Sequence, residues 1–503
     1  MGAEVRKTTV AVSKIIHRGK GQTVCQADVI VPDSMPDSLK VIQVEGKAIC
    51  ESRMMAKGKF SVRGNVECDI IYVPENARGV RCINYTIPFA YSENVEEAEE
   101  KMFLESDCEV THLEYQLVNS RKISIKAVVE TDNMIVGKQE IQFISSVDEE
   151  KAETRTKSFK GKNRIVCKTA EFDVSENIPM PENAEAIVKT HGEIKNRNIK
   201  IINNKVVAKG EIGVSIMFRK GEERLDVIST TVPFTEILDA EGVNENQNTK
   251  VKYNLKEIKA KLADGENGKE ARCVFAVCLN ICSDEVLEFE GVTDIYGTDM
   301  ILIPEKEKIC FEGCEKEKVT EIELREIVNI EEDAPPLNKI FGLEVKPFVN
   351  ECNETASGVK ATGTAVCSLT YVSEKEDAMV HTCNFELPFS ASAECEDKGE
   401  YRAEVKAKSG EYSINGKTVE LRIPLEVTFT NPEITEAEII KEVKQQEQTE
   451  TDRPAMILYF VQKDDSIWEI AKRYHSRICD IERINKISGE EIREGMMLLI
   501  PKK

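Results

Sequence analysis

The chain of 503 residues offers 16 cysteines, five histidines and 90 acidic residues for chemistry. A structural zinc site needs Cys and His in short ligand pairs. No C-x-x-C occurs, and the histidines share no spacing. The tightest sulfur group is Cys273, Cys278 and Cys282. In an extended strand Cys278 and Cys282 share one face, and Cys273 lies on the other. Many cysteines stand in apolar alternation, where a free thiol acts as a small hydrophobe. The expectation is a reduced, mostly buried set in a reducing compartment, with no metal and no cofactor. A redox or metal role is the alternative. P-loop, G-x-S-x-G, H-E-x-x-H and Rossmann glycine strings are all absent from the sequence. Acidic runs such as EEAEEK (96–101) read as solvated surface rather than paired catalytic carboxylates. No catalytic residue, and hence no enzyme, is expected.

A formal net charge of −22 makes nucleic acid an unfavourable partner, because a negative surface repels phosphates. No run approaches the roughly 18–20 apolar residues of a membrane span. The opening residues, MGAEVRKTTVAVSKII, lack a signal-peptide core, so a cytoplasmic protein is expected.

The elements that would carry any site are strands, and they repeat. In KFSVRGNVECDIIY (59–72), Phe60, Val62, Val66, Cys68, Ile70 and Tyr72 share one face with Gly64. Polar residues take the other face, the alternation of a half-buried antiparallel strand. The string recurs as KVVAKGEIGVSIMF (205–218) and VKATGTAVCSLTY (359–371). Gly210 and Gly363 match Gly64; Phe218 and Tyr371 match Tyr72. Pro88-Phe89, Pro233-Phe234 and Pro388-Phe389 follow these strands, and a proline-bearing segment precedes each. The period is that of a whole domain, not a solenoid. Further alternating strands close the first copy (Ile123, Ile125, Ala127, Val129) and the third (Val419 to Phe429). The fold class is mainly β: three tandem sandwich-like domains over 1–150, 151–305 and 306–432. The strand glycines read as bulges or close backbone approaches.

Residues 433–454 carry charge, Gln and Thr, and read as a tether, partly helical at its start. Residues 455–503 read as a βααβ module. ILYFV (457–461) is a strand, and Ser466 with Glu469 forms a capping box. Ile467, Ile470, Ala471 and Tyr474 mark a buried helix face. A second helix lies near Ile481–Asn485, and MMLLIP (496–501) closes the module.

Asp465-Ser466-Ile467-Trp468, Ile470-Ala471-Lys472-Arg473-Tyr474, Asn485, and Gly495 with Leu499-Ile500-Pro501 together resemble the LysM family. That resemblance implies a groove for N-acetylglucosamine polymers between two loops. Lys463-Asp464 and Glu494-Gly495 stand where the family usually has Pro-Gly, and place acidic side chains beside the groove. The β repeats ahead of a LysM module resemble the SPOCS (DUF3794) family of clostridial spore-coat morphogenetic proteins. The resemblance implies a non-enzymatic scaffold in the mother-cell cytoplasm at the forespore surface. Its partner would be the coat-basement ATPase, stage IV sporulation protein A; a peptidoglycan binder is the alternative. The expected partner-binding residues are Lys463, Asp464, Asp465, Ser466, Ile467 and Trp468, with Ile487, Ile492, Arg493, Glu494 and Gly495. For Trp468, the only tryptophan, packing in the module core and edging a docking surface stand as equal readings. Residues 455–503 hold nine Lys/Arg and eight Asp/Glu, a nearly neutral module on an acidic chain.

Overall fold

The computed structural model describes residues 4–147, 152–221, 224–266, 268–314, 316–330, 334–373, 380–395, 401–431, 434–446, 455–487 and 492–501. The first repeat runs β1 (Val5–Ile30), β2 (Ser38–Ala56), β3 (Lys59–Pro74), β4 (Arg81–Asn94), β5 (Phe103–Asn119) and β6 (Lys122–Val147). These form two antiparallel sheets, β1-β6-β5 and β2-β3-β4. The second repeat has β7 (Ala152–Pro179), β8 (Ala184–Ile202), β9 (Lys205–Lys220), β10 (Arg224–Asp239), β11 (Asn248–Gly265) and β12 (Gly268–Gly297). They pair in the same way, as β7-β12-β11 and β8-β9-β10. In the third, both outer long strands are broken in two: β13 (Ile301–Glu312) and β14 (Lys316–Asn329) begin it. β15 (Leu337–Thr355), β16 (Gly358–Ser373), β17 (Val380–Glu394), β18 (Arg402–Ala407) and β19 (Glu411–Asn415) follow. β20 (Thr418–Asn431) and β21 (Ile434–Gln446) end it. Its sheets are β15-β16-β17, and β14-β20-β18 with β19 also on β20.

Period-two alternation puts one face of each sheet inside its sandwich. Ile123, Ile125, Ala127 and Val129 are fully buried against Val66, Cys68, Ile70 and Tyr72. Val419 through Phe429 do the same in the third repeat. Gly64, Gly210 and Gly363 occupy one register position, opposite Phe89, Phe234 and Phe389. A Cβ there would lie 2.7, 2.7 or 2.4 Å from the phenylalanine ring. The hydroxyls of Tyr72 and Tyr371 donate to the carbonyls of Pro36 and Pro335 at 2.9 Å, so the aromatic and proline landmarks are one contact.

The repeats also join one another. β2, β8 and β15 each skip one residue of register at matching places: Ile42, Val188 and Phe341. A bulge re-aims the extra side chain. All three turn into a core shared by the repeats, with Ile71, Val80, Met217, Leu225 and Val372. At the other end the long strands run beyond their sandwiches as two-stranded ribbons: β1 with β6, β7 with β12, and β13 with β21. These ribbons pack as a stem. Phe143, Phe159, Phe289 and Phe311 cluster with Val12, Ile141 and Ile439. Ring centroids lie 5.3 Å apart for Phe143–Phe289 and 5.7 Å for Phe289–Phe311, so all three ribbons meet there.

The three junctions differ chemically. Between the first and second repeats, Lys189 (side chain 3% exposed) binds Glu45 and lies 3.5 Å from Asp69. Between the second and third, Lys339 pairs with Asp226 at 2.6 Å. Between the third and first the bridge beside the shared core is neutral, the Thr382 hydroxyl donating to Gln43 at 3.0 Å, while in the stem Lys7 pairs with Glu442 at 3.0 Å. A groove of about 1070 Å³ lies at the Thr382–Gln43 bridge, lined in part by Leu39, Tyr115, Phe348 and His381.

Three expectations need correction. Residues 434–446 are not a tether but strand β21, paired along its length with β13. The segment reads as polar because a two-stranded ribbon buries a narrow face, here Ile439 and Ile440; 433 and 447–454 lie outside the described residues. The expected boundary at 305/306 falls inside β13. Of the cysteines, only Cys25, Cys68, Cys273, Cys278 and Cys367 are buried, while Cys310 and Cys479 are exposed and the rest are half-buried. Three-stranded sheets with two edges leave many positions only half covered. Among the described residues no helix is long and apolar enough to cross a membrane.

Candidate functional site

The C-terminal module consists of β22 (Met456–Phe460), α1 (Ile467–Tyr474), α2 (Ile478–Asn485) and β23 (Met497–Pro501). Ser466 starts α1 because its side chain accepts from the Glu469 amide at 3.2 Å, satisfying an otherwise orphaned donor. The helix ends at His475, which takes the left-handed conformation at φ 54°. Asn485 closes the module: its amide donates to the carbonyls of Ile481 and Leu499 and accepts from the Leu499 amide at 2.8 Å. Ile470, Ala471, Ile481, Leu498 and Ile500 form the core. The second helix begins earlier than the spacing predicts, at Ile478.

The two expected loops meet. The Val461 amide donates to Met496, and Gly495 donates back to Val461 at 2.8 Å. The eleven expected residues nevertheless divide. Lys463, Asp464, Arg493, Glu494 and Gly495 are exposed. Asp464 and Gly495 hold positive φ, 67° and 80°, at the turns where the LysM family usually has Pro-Gly. Asp465 faces inward: it accepts from the Tyr459 hydroxyl at 2.5 Å and the Gln462 amide at 2.8 Å. The hydrogen bond from Tyr459 is the main cause holding its carboxyl below the usual range. Ser466 is the helix cap. Ile467 is 9% exposed, and Ile487 and Ile492 pack on the module core. Residues 488–491 of the second loop lie outside the described residues.

Trp468 resolves differently from either expectation. It is 9% exposed, but part of what covers it belongs to the second repeat. Its ring meets Tyr296 of β12 edge-on, with centroids 5.1 Å apart and planes at 70°. Its Nε1 donates to Asp294 Oδ2 at 2.8 Å. Lys472, one helical turn on, donates to both oxygens of Asp294 at 2.6 and 2.7 Å. The Tyr296 hydroxyl donates to Ser476 O at 2.9 Å, and His475 Nδ1 lies 2.8 Å from Gly297 O. Burial would lift the Asp294 pKa, but the bonds from Lys472 and Trp468 outweigh it and hold the carboxyl below its ordinary value. The module is therefore seated on the end of β12 by α1. Asp294 and Tyr296 carry that seat, and no local pattern marks them, because their partners stand 174 and 180 residues away.

The comparisons with known proteins fit this geometry. A family model described as the SipL SPOCS domain matches residues 37–118 and 183–263. A LysM domain model matches 459–501. The chain joins SPOCS domains to a LysM domain. No curated protein and no solved structure matches. The two SPOCS segments cover β2–β5 and β8–β11, the inner strands of the first two repeats. The third repeat, outside the match, has the same sheet order. The ribbons of the stem also lie outside it. The LysM match spans both loops and the α1 seat. Among the described residues, one trio has metal-ligand chemistry, Glu105, Cys167 and Cys282; it lies between the first and second β repeats, and only Glu105 falls within a SPOCS match.

Proposed function

We propose that the protein is a non-enzymatic scaffold of spore coat assembly that offers its LysM loop end to a protein partner, the coat-basement ATPase. The observation that carries this reading is the division of the LysM surface. The SPOCS body occupies the Trp468–Lys472 face of α1, while Lys463, Asp464, Arg493, Glu494 and Gly495 stay exposed. A module held this way presents its loops in one orientation, which lowers the ordering cost of association. Its near-neutral charge spares an acidic partner the repulsion it would meet on the rest of the chain. The action would lie in the mother-cell cytoplasm at the forespore surface. The loop binding residues, on this proposal, are the five exposed ones; Asp465, Ser466 and Ile467 hold the loop in shape.

The test uses Lys463→Glu with Arg493→Glu in the full chain. Affinity for the basement ATPase should fall about 10-fold or more, as expected for charge reversal beside an interface. Tryptophan emission should stay unchanged, since neither residue touches the α1 seat. Deletion of 455–503 is a poorer test, because it bares Tyr296 on β12. Normal binding to the ATPase with lost binding to peptidoglycan or chitin oligomers would replace the scaffold reading by the glycan one.

A further inference from the structure

Cys167 on β7 and Cys282 on β12 are direct register partners, and their sulfurs lie 2.9 Å apart. That is inside van der Waals contact, and directly opposed residues of antiparallel strands have the separation a disulfide needs. Glu105, reaching across from β5 of the first repeat, places a carboxylate oxygen within 4.8 Å of both sulfurs. The surroundings are built rather than incidental. Arg164, 5% exposed, donates to Asp284 and to Glu105, and its own amide donates to Ser13 Oγ at 2.7 Å. Both cysteines are only half-buried, which leaves access for a small oxidant.

We propose that Cys167 and Cys282 are a dithiol–disulfide couple, oxidised in place by a hydroperoxide. One thiol gives up its proton to solvent, and its sulfur attacks the peroxide oxygen. The O–O bond breaks, leaving a sulfenic acid and a hydroxide that takes a proton to become water. The second sulfur then attacks the first, forming the S–S bond. The departing hydroxide and the second thiol's proton make another water. Two thiols lose two electrons, and one hydrogen peroxide becomes two waters. Either sulfur can react first, since the 2.9 Å contact is symmetric and both thiols are half-buried. A metal is the weaker reading of the trio, because a cation would compete with the Arg164 guanidinium already bound to Glu105. The pair sits beside the register shift at Ser283/Asp284, where the sheet of the second repeat passes into its ribbon. The bond would fix that junction.

The experiment treats the reduced full-length protein with a small excess of hydrogen peroxide, then alkylates and counts thiols. The expected count is two below the 16 of the untreated chain, restored by dithiothreitol. Tryptic mapping should join the peptide 165–168 to Cys282 in the peptide 273–306. In Cys282→Ser, Cys167 should instead be trapped as a dimedone-reactive sulfenic acid, with no intramolecular link. An unchanged count, or a bridge confined to Cys50 and Cys108, which share a side-chain hydrogen bond of their own, overturns the assignment. So does one zinc per purified chain that is lost in both Cys167→Ser and Cys282→Ser.

Discussion

Replacing Asp294 by Ala should unseat the LysM domain while leaving both parts folded. The carboxylate accepts from Trp468 and from Lys472, and charge-assisted hydrogen bonds of this kind contribute roughly 1.5–3 kcal/mol each. Lys472 is 41% exposed and its share is screened, so about 2–3 kcal/mol is the expected total. That corresponds to a shift of about 30- to 150-fold toward the undocked state. Trp468 is the only tryptophan, so its fluorescence reads the seat directly, and emission should move to longer wavelength. Unchanged emission in Asp294→Ala and in Tyr296→Ala would sink the docking reading. The pH dependence has a fixed sign. The Asp294 carboxyl is depressed when docked, so docking is strongest above the ordinary Asp value of about 3.9 and is lost as pH falls through the lower docked value. The seat should therefore survive throughout the neutral range, and acid-induced release should appear only below about pH 4.

The second large effect concerns the strand glycines, where three equivalent positions should respond differently. In Gly64→Ala the new Cβ would meet the backbone oxygen of Ile49 at 2.0 Å as well as the Phe89 ring. In Gly363→Ala it would meet Phe348 O at 2.2 Å as well as Phe389. In Gly210→Ala the corresponding carbonyl, of Lys195, is 3.4 Å away, and the close contact is the Phe234 ring alone. The cause is the adjoining bulge. In the second repeat Asn196, Arg197 and Gly210 itself all fall out of register between Lys195 and Asn198, whereas Gly64 and Gly363 stay paired beside a single skipped residue. A side chain yields and a backbone carbonyl does not. Gly210→Ala should cost about 2–3 kcal/mol, and Phe234→Leu should recover part of it. Gly64→Ala and Gly363→Ala should cost about 3 kcal/mol or more, with no recovery from the matching Phe→Leu. Chemical denaturation of the six variants checks this, and equal rescue at all three sites would refute the bulge argument.

These cases show what was legible beforehand. Period-two alternation marked the buried face of β3, β9, β16 and β20, because one covered face is all a sandwich strand requires. Glycine, aromatic and proline landmarks identified the repeat, and the structure shows them to be contacting pairs. The stem was not legible. β21 buries Ile439 and Ile440 while exposing Glu436 and Glu438, so by composition it looks like solvated chain. In the LysM domain, caps and core followed helical spacing. The role of Trp468 did not, since a buried indole is ambiguous until its neighbour is known, and here that neighbour is Tyr296 in another part of the chain.

The stem also sets an order of events during synthesis. Its phenylalanine cluster draws on all three ribbons, and the last of them is completed by residues 434–446. Each sandwich closes from strands within its own stretch of sequence, so the three can form as they leave the ribosome. The stem cannot, because β13 waits for a partner made after the whole third repeat. Until then Phe143, Phe159 and Phe289 can pack only on one another and lack the cover of Phe311 and Ile439, on two long ribbons with open edges, an arrangement prone to pairing with another chain. The interval between residue 297 and residue 446 is thus the time in which a nascent chain is most exposed to misassembly, and a ribosome stalled there should yield aggregates rather than a shortened folded protein.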